Sequence, residues 1–122
     1  MRTVAEPVDP LGAELAAEGR AAILITRGRR TGRPVATPIG FVASADGSLL
    51  VAAGDPGADW ARNLVADPRC EVVIGDERRP CWAEELSGPE RAAAIRELIL
   101  KYGTPAERLG WGPAFRLRPE GS

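Results

Sequence analysis

The sequence contains no histidine. That absence removes serine–histidine triads, cysteine–histidine dyads and every histidine-bearing metal site. Two cysteines, Cys70 and Cys81, are too few for a four-thiolate zinc site. An enzyme with this inventory places its difficult chemistry on a cofactor or on carboxylates. Long apolar runs are missing as well, since stretches such as "LLVAA" at 49–53 fall far short of the ~20 residues of a membrane span. The opening "MRTVAEPVDPLG" has no apolar core of leader length and carries acids early, so the cytoplasm is the expected compartment. There the two cysteines are expected to stay reduced, in or near strands. Charge imbalance is absent too. Sixteen basic and seventeen acidic residues leave a formal net charge of −1, which gives no basic surplus for a nucleic-acid partner.

What remains is 122 residues, 44% hydrophobic and 27% charged, the size and balance of one globular domain over 1–122. Residues 9–20, "DPLGAELAAEGR", suit a short helix with Asp9 as cap and Pro10 at the first helical position. "AAILIT" (21–26) is a buried strand by its β-branched, apolar character. "PVATPIGFVAS" (34–44) resumes as strand, and Pro34 and Pro38 place it at an edge or interrupt it near its start. "ADGS" (45–48) reads as a hairpin turn and "LLVAAG" as the next strand. Asp59 is placed to cap a helix "WARNLVAD", which Pro68 keeps from continuing. "CEVVIG" and "RRPCWAEEL" flank the turn "GDE" as a second hairpin. "SGPE" (87–90) has capping-box spacing, and the helix behind it sets Ala92, Ile95, Leu98 and Ile99 along one stripe. "GTPAERLGWG" reads as a loop and "PAFRLRP" as a closing strand. The pattern predicts an α+β fold: a mostly antiparallel sheet of about six strands, curled into a small barrel with helices packed outside.

Three clusters are candidates for chemistry. Arg27, Arg29, Arg30 and Arg33 crowd a turn with Thr31, Gly28 and Gly32. Guanidinium forks match phosphate and carboxylate, and the glycines allow a tight turn whose amides could meet the same anion. The plainer alternative is a solvated, charged turn. In the second cluster, Trp60 and Asn63 share a face of the helix after Asp59, with Leu64 beside Trp60, as one wall of a pocket for a flat heterocycle. Alternatively, Trp60 and Leu64 are core and Asn63 a polar neighbour. The third is the single tyrosine, Tyr102, placed either to donate a proton to a substrate or simply to pack its ring.

In order and spacing, "LITRGRRTGRPVATPIGFV", "LLVAAGDPGADWARNLVADPRCEVVIG" and the closing "PAFRLRP" resemble the deazaflavin-dependent nitroreductase family, small split β-barrels related to the flavin-binding pyridoxamine phosphate oxidases. The resemblance implies coenzyme F420 as ligand, a deazaflavin with a phosphate and an oligoglutamate tail. It places Arg29 and Arg30, with Thr31 and Gly32, on that anionic tail, and Thr37, Pro38 and Ile39 beside the ring. Ala53 and Gly54 fall at the reactive side, and Trp60 and Asn63 on the helix that closes the pocket. Tyr102 becomes the candidate substrate-side hydroxyl. The implied reaction is hydride transfer to a quinone, nitroaromatic or activated alkene, by a monomer or homodimer. Four positions differ from the family habit: Val35 replaces a frequent basic residue, Gly40 an aromatic and Ala61 a common tyrosine, and Asp55 falls in a loop that commonly meets the phosphate. Two other readings use the same barrel, a flavin mononucleotide (FMN) reductase and a non-enzymatic binder of an apolar anion such as a fatty acid.

Overall fold

In the computed structural model, residues 21–55, 57–102 and 112–120 are described. The helix expected over 9–20 and the loop over 103–111 lie outside them. Seven strands form one antiparallel sheet: β1 (Ala21–Arg27), β2 (Pro34–Gly40), β3 (Val42–Ala43), β4 (Leu49–Ala52), β5 (Arg69–Ile74), β6 (Glu77–Leu86) and β7 (Ala114–Pro119). Helix α1 (Asp59–Ala66) lies between β4 and β5, and α2 (Gly88–Tyr102) between β6 and β7.

The strand order β2-β1-β5-β6-β7-β4-β3 fixes the shape. In a flat sheet its two edge strands would stand about 29 Å apart, six spacings of roughly 4.8 Å. Yet β2 and β3 are separated in sequence by Phe41 alone, which spans only about 7 Å. The sheet therefore curls until its edges meet, and β2 approaches β4 as well as β1. The single strand expected over 34–44 is two strands at opposite edges, so the count is seven rather than about six.

Both prolines of β2 do fall on an edge strand. Gly28 donates its amide to the Arg33 carbonyl at 2.8 Å, making that pair a hydrogen-bonded position of the β1–β2 ladder. Because such positions alternate along an antiparallel pair, Pro34 and Pro38 occupy the others, where a backbone N–H would point away from β1. Neither proline costs the ladder a bond.

Alternation also sorts the core into two layers. Ala22 and Leu24 of β1, Val72 of β5, Ala83 of β6 and Leu117 of β7 face the barrel interior with Ile39, Phe41, Leu49 and Val51. Leu49, Leu117 and Ala83 stand side by side in one inward row. Trp60, Ala61 and Leu64 of α1 complete this cluster by closing the barrel end. On the outer face, Leu50 and Leu86 meet Ala94, and Ala52 and Ala114 meet Ile95 and Leu98. Ile95, Leu98 and Ile99 fulfil the expected stripe, but Ala92 is exposed and Ala94 takes its place in the contact.

Helix α1 begins at the residue expected to cap it. Ala58 is the N-cap, without a side-chain capping bond, and Asp59 is the first helical residue. Cys70 and Cys81 are free, directly opposed across β5 and β6, and buried. Burial pushes the Cys70 thiol up to about 12 and raises that of Cys81, which keeps both protonated at neutral pH.

Candidate functional site: a clamped arginine turn

The turn from Gly28 to Arg33 is tight because of its glycines. A Cβ at Gly28 would stand 2.9 Å from the Thr31 hydroxyl oxygen, and Gly32 sits at φ +73°. Their amides are consumed within the turn: Gly28 donates to the Arg33 carbonyl and Gly32 to the Gly28 carbonyl, both at 2.8 Å. The expected presentation of glycine amides to an anion is therefore not built. The Thr31 hydroxyl accepts the Arg33 amide at 3.1 Å.

The four arginines separate. The Arg27 Nε lies 3.4 Å from Asp67, whose carboxyl also pairs with Arg69 and is held below its usual range by the Arg69 hydrogen bonds. Arg29 folds onto the first turn of α1. Its amide and its Nη1 donate to Asn63 Oδ1 at 3.1 and 2.9 Å, and its Nη2 pairs with Asp59 Oδ1 at 3.1 Å. Asn63 is 2% exposed and passes the link inward, donating from Nδ2 to the Thr26 hydroxyl at 3.1 Å. Arg30 and Arg33 are exposed. The mutual repulsion that suggested an external anion is thus relieved for two of the four by carboxylates of the chain itself.

A cavity of about 220 Å³ lies over this clamp, lined by Gly28, Arg29, Arg30, Thr31, Val35, Asp59 and Asn63. On the other side of the turn, a cavity of about 320 Å³ includes Thr26, Arg27, Gly32, Arg69 and Cys70 in its lining. Of the residues singled out in the sequence, Arg29, Arg30, Thr31 and Asn63 converge on the first cavity, and Gly32 reaches only the second. Thr37, Pro38, Ile39, Ala53, Gly54, Trp60 and Tyr102 line neither.

Physical reasons separate those seven. Trp60 is a core residue rather than an open wall, its ring 5.9 Å from that of Phe115 at an interplanar angle of 56°. Ile39 and Ala53 point into the same core, with the Ala53 amide donating to the Pro113 carbonyl at 2.9 Å. Thr37 and Pro38 are half-buried on β2, and Gly54 is exposed. Tyr102 is engaged elsewhere. Its hydroxyl accepts the Phe41 amide at 3.0 Å and lies 3.2 Å from the Phe41 carbonyl, to which it donates.

Two of the departures from family habit acquire reasons. A Cβ at Gly40 would stand 3.0 Å from the Tyr102 ring, so that ring occupies the space a larger residue would need. The Asp55 carboxylate turns back to accept the Gly57 amide at 2.7 Å. Sequence reading missed Asp59 as the partner of Arg29, and Lys101, whose ammonium donates to the Phe41 carbonyl at 2.6 Å. Both contacts span thirty residues or more and leave no local signal.

The donor set of the cavity suits an anion: the exposed Arg30 guanidinium, the Thr31 hydroxyl, and the Arg29 guanidinium held at the cavity wall by a buried carboxamide. The curled antiparallel sheet with its two helices is a split β-barrel. In shape the chain is similar to a Listeria innocua protein described as a "Putative Pyridoxamine 5'-phosphate oxidase", with a TM-score of 0.64, 11% identity, and coverage of 90% of this chain and 94% of that one. It is also similar to an F420-H2 dependent reductase, FDR-A, with a TM-score of 0.70, 27% identity, and coverage of 81% and 94%.

The family model for F420H(2)-dependent quinone reductases matches residues 2–108, and the chain belongs to that family. A "Putative F420H(2)-dependent quinone reductase" of Mycobacterium tuberculosis is 31% identical over 104 residues, covering 80% of this chain and 87% of that protein. The chain is accordingly an oxidoreductase whose cofactor is coenzyme F420.

Proposed function

We propose that the protein reduces quinones with F420H2, accepting nitroaromatics and activated alkenes as further substrates. The observation that carries this reading is the cavity in which Arg29, Arg30, Thr31 and Asn63 converge at the barrel end. When bound, the reduced deazaflavin supplies the hydride, so the chain needs neither a metal nor a histidine.

The protein contributes position and field. Arg30, exposed at the cavity, would hold the phosphate and glutamate carboxylates of the tail through charge-assisted hydrogen bonds. Arg29, fixed by Asn63, sets the height of the turn against α1. The buried ring contact of Trp60 with Phe115 fixes α1, and with it Asn63, on the barrel core. A site held in one geometry lowers the entropic cost of bringing donor and acceptor together.

Fluorescence titration of the purified protein with the coenzyme, followed by menadione consumption with its reduced form, tests the reading. Saturable binding that weakens with salt, and with Arg30→Ala, is expected. A flat titration, or tighter binding of FMN than of the deazaflavin, ends it.

A further inference from the structure

We propose that Asp59 is a built-in counter-anion: it holds Arg29 in the free protein and yields that guanidinium to the anionic tail of the ligand. The inference rests on the function proposed above and concerns the regulation of affinity at the same site.

The two partners of Arg29 are unequal. Asn63 is buried and tied to β1, whereas the Asp59 side chain is 80% exposed against 21% for Arg29. Among the described residues, the Asp59 carboxylate has no other ion pair or hydrogen bond. It also lines the cavity. An incoming phosphate or carboxylate can therefore replace Asp59 on Nη2 while the Asn63 bond on Nη1 keeps the guanidinium aimed.

Displacement is cheap because an exposed ion pair is weak. The freed carboxylate stays at the first turn of α1, where the helix dipole still favours it. Without displacement, Asp59 would remain a negative charge in the wall that meets a string of anions. Asp59 is thus a specificity-determining residue, setting how much anionic charge a ligand must bring before Arg29 is released.

The test is coenzyme titration, read by fluorescence, of the wild type, Asp59→Asn, Asp59→Ser and the charge-matched control Glu97→Gln. Glu97 is exposed on α2 and lines neither cavity. Both Asp59 variants are expected to bind about three- to fivefold tighter, as loss of a weak surface pair from the free state implies, with less than about a 1.5-fold change for Glu97→Gln. Binding of the deazaflavin headgroup without phosphate and glutamates is expected to be unchanged in every variant.

Equal tightening by Glu97→Gln and Asp59→Asn would show a general charge effect and overturn the proposal. Unchanged or weaker binding in the Asp59 variants would do the same. If the wild type binds no coenzyme, the proposed function falls and takes this inference with it. If the wild type binds and the variants match it, only this inference falls.

Discussion

Asn63 donates to Thr26 and accepts twice from Arg29, so one carboxamide joins a strand, a turn and a helix. Its replacement by alanine leaves a buried threonine hydroxyl and a backbone amide short of partners. Asn63→Ala is expected to lower stability by about 2–3 kcal/mol in urea unfolding and to weaken coenzyme binding as the turn loses its anchor. Tyr102 presents the opposite case, a residue with a chemical reputation and a structural task. Because its hydroxyl bonds the Phe41 amide and carbonyl, Tyr102→Phe should cost about 1–2 kcal/mol of stability. Its kcat with menadione, measured well below the melting temperature, should change less than about twofold. A fall of a hundredfold would mark proton donation to substrate and assign the hydroxyl a second role.

At the scale of elements, the opposed pair Cys70 and Cys81 gives the β5–β6 ladder a pH response. Burial raises both thiols above their ordinary value near 9, Cys70 to about 12. Above pH 9 the unfolded chain releases these protons while the folded chain keeps them, so stability present below pH 9 is lost as pH climbs toward 12. The slope is about 1.4 kcal/mol per pH unit for each fully titrating thiol. Urea unfolding from pH 8 to 10.5 should show this decline, and Cys70→Ala should flatten it relative to the wild type.

The same ladder was legible in the sequence, because a hairpin is local and its turn, "GDE", sits between two apolar runs. The edge position of β2 was legible from Pro34 and Pro38 for the same reason. The break at Phe41 was not, since an apolar residue inside an apolar run carries no mark of a change of sheet edge. Within the site, the arginine turn could be read from its composition. Its tie to Asp59 and Asn63 could not, because side chains about thirty residues apart meet only after the barrel closes.

For the molecule as a whole, closure depends on one residue whose backbone stands where the chain passes from one sheet edge to the other. Phe41 lies between β2 and β3 and belongs to neither strand. The end of α2 supplies partners instead: Tyr102 takes its amide, and Lys101 and Tyr102 both donate to its carbonyl. The Lys101 ammonium also lies 4.0 Å from the centroid of the Phe41 ring, a cation–π contact of about 0.5–1 kcal/mol at an accessible site.

Helix α2 is therefore both a cover for the outer layer and the latch of the seam. The strands differ in how much they depend on it. β5 and β6 pair over six residues in the middle of the sheet, whereas β3 pairs with β4 over two. Removing the latch with Lys101→Met and Tyr102→Phe together should lower global stability by about 2–3 kcal/mol. Hydrogen exchange of the double variant should accelerate most at Phe41, Val42 and Ala43. Amides of β5 and β6 should slow down or speed up only with the global unfolding free energy. Uniform acceleration across all strands would mean that the barrel opens as a single unit and that the seam is not its weakest line.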